Sequence, residues 1–315
     1  MNPMLKLVAD RQGGAFSRGQ ASECGYTPDQ IRDRLADGRW ERIRYGQYAE
    51  AVELSHLAPW DQQGVRHQRL VHAVMNSMRP GTVAVSHQSA LALHGTPLWG
   101  VDLAEVHLNR LDRHRGGRIA GVRHHRGKLT AADLTVVNGL TVTTLPRALL
   151  EMACTSSFEA AVISADAARR DHPISVDDLQ RLLEVTEFWP GSATARAAWR
   201  FSDPMSESVG ESRLRVLMHN HGLPAPVLQA AFADADGFVG RVDFYFADEQ
   251  TVVEFDGLLK YAAGTSDSLI REKLREDRLR ALGLQVVRIT WADLDHPARV
   301  IARIHQAFAR SRRTA

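Results

Sequence analysis

The chain has 315 residues, 44% hydrophobic and 24% charged, with a formal net charge of +2. That length asks for two or three domains, and the balance excludes global disorder. With no run of about 18 apolar residues, a membrane span is excluded too.

Residues 1–52 read as a small helical module ending in a hairpin. A short helix is expected over Leu5–Asp10, stopped by Gly13 and Gly14. Ser17 is placed to cap a second helix, 18–23, which Gly25 ends. Thr27 caps the next, with Pro28 at its first position and Gln30 at its third, a capping-box arrangement. Ile31 and Leu35 share one face of that helix, with Arg32 and Arg34 elsewhere. After Gly38, RWERIRYGQYA alternates around Gly46 as two short strands and a turn. This is the element order of a winged helix-turn-helix. Its third helix, with Arg32 and Arg34, would enter a DNA major groove, and Arg42 and Arg44 on the wing would reach phosphate. Protein-interaction domains share the outline.

Residues 60–200 read as a central α/β region. A helix is expected over Gln68–Met78, and TVAVSHQSALALHG reads as a strand and a small-residue helix closed by Gly95. Strands in AEVHL and GLTVTTL follow, then a long helical stretch from PRALLEMA to ADAARR, a helix capped at Ser175, and another after WPGSATA. Between His107 and Lys128 lie Arg110, Arg113, Arg115, Arg118, Arg123, Arg126 and Lys128 against one acid, Asp112, with four histidines besides. Such a patch suits polyphosphate, which makes Arg113, Arg115 and Arg118 candidate DNA contacts. The alternative is a solvated basic hairpin. Neither a glycine-rich phosphate loop nor a cysteine–histidine cluster is evident. Ser86 and His87, as sequence neighbours, are not expected to face each other, so a helix-capping serine beside a packed histidine is the reading favoured over a nucleophile and its base.

Residues 203–315 carry the chemistry. SVGESRLRVLMHNHG is a helix in which Glu211 lines up with Leu214 and Met218, with Arg215 as its i+4 partner. VLQAAFA, VGRVDFYF and TVVEFDG read as strands. The second should place Val242, Phe244 and Phe246 on one face, the third Val252, Glu254 and Asp256. A four-residue loop at Ala247–Gln250 would pair Phe246 with Thr251. Asp243 then lies opposite Glu254, with Cβ atoms about 5 Å apart, and Arg241 opposite Asp256. Two facing acids call for a cation, and carboxylate oxygens suit Mg²⁺ or Mn²⁺. A helix, the strand LQVVRITW and a basic C-terminal helix complete the order. Arg271, Arg275 and Arg278 would line a DNA channel or a solvated face.

The order helix, three strands, helix, strand, helix is that of the restriction-endonuclease core. Through ESRLR, GLPAPVLQ, RVDF, VEFDG, REDRLRALG and VVRITWADL, residues 206–294 resemble the very-short-patch-repair-like branch of the PD-(D/E)XK nucleases. Through GGAFSRGQASECGY, RWERIRYGQYA, VSHQSALALHG and LTVTTLPRALLEMA, residues 9–170 resemble the winged-helix and middle regions of AbiEi-type antitoxins. The resemblance implies an α/β architecture of winged helix, central α/β domain and nuclease-like core. It implies Asp243 and Glu254 as metal-binding acids, Glu211 as the acid of the leading helix and Gln229 as a polar strand position. The family's lysine belongs two residues after Glu254, where this chain has Asp256; Lys260 and Lys273 are the candidate replacements. The expected activity is Mg²⁺- or Mn²⁺-dependent DNA endonuclease. The alternative is a DNA-binding regulator or antitoxin-like protein on a degenerate nuclease fold. The expected partner is DNA, without membrane or small-molecule cofactor, and the oligomeric state is open, a homodimer included. The N-terminus MNPMLKLVADRQGG lacks the apolar segment of a secretory signal. Cys24 and Cys154 are too few for a disulfide framework or a four-cysteine zinc site. A reducing cytoplasm is the expected compartment.

Overall fold

The computed structural model describes residues 1–112, 114–257 and 266–314. The chain is α/β and divides into two compact units, residues 1–164 with 174–200, and residues 165–173 with 201–315.

In the first unit, α1 (Pro3–Arg11), β1 (Ala15–Ser17), α2 (Arg18–Glu23), α3 (Pro28–Ala36), β2 (Trp40–Arg44) and β3 (Gln47–Glu50) form the opening module. Its start is written in local chemistry. Asn2 caps α1, and Ser17–Gln20 and Thr27–Gln30 close reciprocal capping boxes. The strand β1 adds to the expected hairpin, giving a sheet of order β1-β3-β2. Phe16, Trp40, Tyr26 and Ile31 fill the core beneath it. At Gly13, held at φ +64°, an added Cβ would stand 2.2 Å from the His72 ring, so only glycine fits between this module and the following helix.

That helix, α4 (Pro59–Met75), begins nine residues before the expected one, with Pro59 at its first turn. A six-stranded mixed sheet follows: β4 (Val83–Val85), β5 (Val106–Arg110), β6 (Gly117–Ile119), β7 (Val122–His125), β8 (Leu134–Val137) and β9 (Leu140–Thr143). Their order is β6-β7-β5-β4-β9-β8. The helices are α5 (His87–Leu93), α6 (Leu145–Ala153), α7 (Phe158–Asp171), α8 (Val176–Val185) and α9 (Ser192–Phe201), with a 3-10 turn at Ala131–Asp133. The basic segment is the β6–β7 edge hairpin, turned at Ala120 and Gly121, both with positive φ.

The second unit holds α10 (Val209–Asn220), β10 (Val227–Asp234), β11 (Gly237–Phe246), β12 (Thr251–Asp256), α11 (Ser266–Ala281), β13 (Gln285–Thr290), α12 (Trp291–Leu294) and α13 (Pro297–Thr314). The sheet order is β10-β11-β12-β13, with the last pair parallel. One cluster packs Leu214, Met218, Phe244, Phe246, Val253, Ile289, Ile304 and Phe308; another packs Val239, Val242, Val252, Leu279 and Leu284. Val242 therefore parts from Phe244 and Phe246, against the simple alternation expected of β11. The end of α7 belongs to this unit: Asp166 meets Arg215 at 2.7 Å, both buried. Arg215 is thus spent on Asp166 rather than on Glu211, its expected i+4 partner.

Candidate functional site

The expected pairing of Phe246 with Thr251 is present, and Phe244 pairs with Val253. Continuing that register sets Asp243 opposite Glu254. On the other side, Leu228 pairs with Phe244 and Ala230 with Val242, which sets Gln229 opposite Asp243. Glu254 pairs with Arg288 on β13. Extended in this way, the register would align Gln229, Asp243, Glu254 and Arg288 as one row, of which the Glu254–Arg288 pairing is formed.

The row interrupts the sheet. The β11–β12 ladder stops at Phe244–Val253, and Asp243 Oδ2 accepts the Phe255 N–H at 2.7 Å where a backbone carbonyl would otherwise serve. Gln229 is held at φ +50°, a strained conformation for a residue with a side chain. The change of face at Val242 falls at the same interruption. Arg241 consequently has no partner strand residue on β12. It bonds Glu207 at 2.7 Å, not Asp256 as the simple register predicts.

Glu211 sits at the first turn of α10, capped by Ser208. Its carboxylate accepts from the Ser208 hydroxyl at 2.7 Å, the Glu207 N–H at 2.9 Å and Gln229 Nε2 at 3.2 Å. Gly210 makes this approach possible, since a Cβ there would lie 1.9 Å from the Phe255 ring. Glu254 is buried and receives Arg275 Nη2 at 2.7 and 2.9 Å, with Arg288 at 3.7 Å. Burial raises its pKa against the pull of Arg275. Glu272, bonded by Arg275 and Arg288, is held down to about 2. Asp256 lies 4.0 Å from Arg288. Lys273 is exposed on α11, and Lys260 lies outside the described residues. Arg278 binds Asp234 at 2.6 Å, so Arg275 and Arg278 are engaged in ion pairs rather than on an open channel wall. Arg271 is exposed.

In the first unit Arg32 is exposed, 3.0 Å from Asp29. Arg34 is half-buried over the rings of Tyr26 and Trp40, a packing role that takes it from a groove-reading face. Arg42 is exposed beside Tyr45, whereas Arg44 is half-buried, its pKa lowered by burial. Arg115 and Arg118 are exposed on or beside the edge hairpin, Arg118 bonded to Glu105 at 2.6 Å; Arg113 lies outside the described residues.

A second polar centre, unforeseen from the sequence, lies inside the first unit. His107 on β5 and His125 on β7 share a face of the sheet, and His87 opens α5. Their ligand-type nitrogens all fall within 4.8 Å of one another. Among the described residues no three carboxylates converge in this way, Glu211, Asp243 and Glu254 included. The rings of His87 and His125 stack at 3.8 Å. Gln88 Nε2 donates to the Asp102 carbonyl and to His107 Nε2, which leaves the His107 Nδ1 proton for His125 Nε2, 3.0 Å away. Burial and the neighbouring imidazoles hold His107 down to about 3; burial and Arg123 hold His125 down to about 4, and His87 is lowered likewise by burial. Contrary to the expectation for sequence neighbours, His87 Nδ1 meets Ser86 Oγ at 3.0 Å, because His87 adopts φ +52°. Both Ser86 and the Glu151 carboxylate, 3.6 Å away, address the same nitrogen, so this is no nucleophile–base–acid relay. Glu151 is itself buried and held by Arg147 at 2.8 Å and Asn109 at 2.7 Å.

No family model matches the chain. It is 30% identical over 182 residues to two proteins of Mycobacterium tuberculosis strains, both described as uncharacterized. The match covers 58% of this chain and 66% of each relative, just under two thirds of the relatives' length. Among the described residues, no helix is long and apolar enough to cross a membrane.

Proposed function

We propose that the protein binds DNA and hydrolyses its phosphodiester bonds at the Asp243–Glu254 row with Mg²⁺ or Mn²⁺, in a reducing cytoplasm. The observation that carries this reading is the closeness of two acids on adjacent strands, Asp243 accepting the N–H of Phe255 beside Glu254 and repelling its charge, with Gln229 bonded to Glu211. The donor set fits a hard divalent ion, being carboxylate oxygen throughout. Asp243 adds to the upward push on the Glu254 pKa, a repulsion that a divalent charge relieves. Asp243 and Glu254 would hold the ion. When bound, it lowers the pKa of water and stabilises charge on the phosphate. Gln229 would hold the Glu211 carboxylate, to which it donates at 3.2 Å, in place beside these two acids. Arg275 must turn from Glu254 toward Glu272, which it already meets at 2.7 Å. The opening module would serve as the winged helix, with exposed Arg32 and Arg42 and the edge hairpin giving phosphate contacts.

A second reading, a DNA-binding regulator on a degenerate nuclease fold, is favoured by Arg275 on Glu254 and by Asp256 in the place of the family's lysine. One experiment separates the two. Labelled duplex, mismatched, branched and single-stranded DNAs are incubated with the full chain in Mg²⁺, Mn²⁺ or chelator. The nuclease reading expects metal-dependent cutting that Asp243→Ala and Glu254→Ala each reduce by at least about 100-fold with binding retained. Absence of cutting, with binding indifferent to metal, selects the regulator.

A further inference from the structure

We propose that His87, His107 and His125 form a binding site for a borderline divalent transition metal of the Zn²⁺ class, separate from the acidic row. Three observations carry it. The first is convergence. The three residues come from the start of α5, from β5 and from β7, and their nitrogens fall within 4.8 Å of one another. His107 Nδ1 and His125 Nε2 stand 3.0 Å apart, near the roughly 3.4 Å edge of a tetrahedron with ordinary zinc–nitrogen bonds. The donors are all imidazole, which suits Zn²⁺, Co²⁺, Ni²⁺ or Cu²⁺ over Mg²⁺.

The second is outer support. His87 is held at φ +52° while its backbone N–H donates to Glu151 Oε2 at 3.3 Å, and Glu151 is fixed in turn by Arg147 and Asn109. Strain maintained by a buried carboxylate network is typical of a site whose geometry matters. Gln88 supplies the remaining adjustment. Coordination through His107 Nδ1 moves the ring proton to Nε2, and Gln88 Oε1, buried without a hydrogen bond, accepts it once the amide turns over.

The third is access. A cavity of about 320 Å³ adjoins the cluster, lined by His87, His125, Arg126, Glu151 and Trp189 among others. Three protein ligands beside a cavity leave a coordination position for water or an anionic ligand, which Arg126 would favour.

The test uses the full chain stripped with chelator and titrated with Zn²⁺ by calorimetry and with Co²⁺ by visible absorption. One Zn²⁺ per chain is expected, with a Co²⁺ spectrum of low coordination number. His107→Ala and His125→Ala should weaken Zn²⁺ binding by at least about 100-fold. His124→Ala, from the opposite face of β7, should leave it unchanged. Should the alanine variants fail to fold, nitrogen hyperfine couplings of Cu²⁺ bound to the wild-type chain decide instead, three imidazoles being expected. No Zn²⁺ or Co²⁺ binding at micromolar metal, binding unaffected in both histidine variants, or a Cu²⁺ signal without imidazole nitrogens overturns the proposal.

Discussion

The polar centres of the two units, the imidazole cluster and the acidic row, are built in opposite ways. The first unit buries neutral imidazoles, linked by hydrogen bonds from Asp102 through Gln88 and His107 to His125, with Glu151 and Arg147 as the charged pair behind them. The second sets carboxylates against guanidiniums, with Arg275 and Arg288 shared among Glu254, Glu272 and Glu276. The buried pair is intolerant, since Glu151 has one cationic partner and Arg147 one close acid. A shared network at the border of solvent is redundant, since each charge keeps another partner when one is lost.

The sharpest way to break this comparison is Glu151→Ala. Arg147 and Glu151 have side chains each 1% exposed and meet at 2.8 Å. Removing the carboxylate leaves a buried guanidinium with Asp133, 4.0 Å away, as its next acid. The expected loss is about 3–5 kcal/mol in urea unfolding. A loss below about 1 kcal/mol would show that the pair is not what holds the imidazole cluster.

The same unit should be the acid-sensitive one. His67, His72, His87, His107 and His125 all have folded-state pKa values lowered first of all by burial. Unfolded histidine titrates near 6.5, so below that pH the unfolded chain binds protons that the folded chain refuses. Stability is therefore full above about pH 6.5 and falls with acidification, by up to about 1.4 kcal/mol per pH unit for each such histidine, until the folded values are reached. Trp40, Trp60, Trp99, Trp189 and Trp199 lie in this unit and only Trp291 in the other, so tryptophan fluorescence reports on it. The urea midpoint followed by fluorescence should drop markedly between pH 7.5 and 5. A constant midpoint would mean that these imidazoles already accept protons in the folded state.

The two centres also differ in how far sequence exposes them. The Phe246–Thr251 pairing and the place of Glu211 are legible because they rest on local rules: a short loop that fixes register and the first turn of a capped helix. The interruption of the β11–β12 ladder beyond that pairing has no such signature. Nothing in VLQAAFA signals that Gln229 takes a positive φ or that Asp243 captures the Phe255 N–H, and so Val242 and Arg241 fall elsewhere than simple alternation puts them. Arg215 departs from its i+4 pairing for a similar reason, its partner Asp166 lying 49 residues away. The helix caps of the opening module depend only on residues three apart, and Ser17 and Thr27 behave as read. The imidazole cluster depends on a parallel β5–β7 pairing and a left-handed His87, neither of which has a local signature. Four histidines in the basic segment were the available hint, and two of them, His107 and His125, belong to the cluster.

The smallest expected effect sharpens the comparison from the other side. Glu254→Gln removes the charge that receives Arg275, yet Arg275 keeps Glu272 at 2.7 Å, and Arg288 keeps Glu272 and Glu276. The substitution also removes the repulsion from Asp243. These terms oppose each other, so the change in stability should stay within about 1 kcal/mol, by contrast with Glu151. Differential scanning calorimetry of the metal-free variant measures it. A loss of about 3 kcal/mol or more would make Glu254–Arg275 a structural ion pair of the buried kind. It would also count against the row as a metal site, since a carboxylate on which folding depends that heavily has little freedom to exchange Arg275 for a cation.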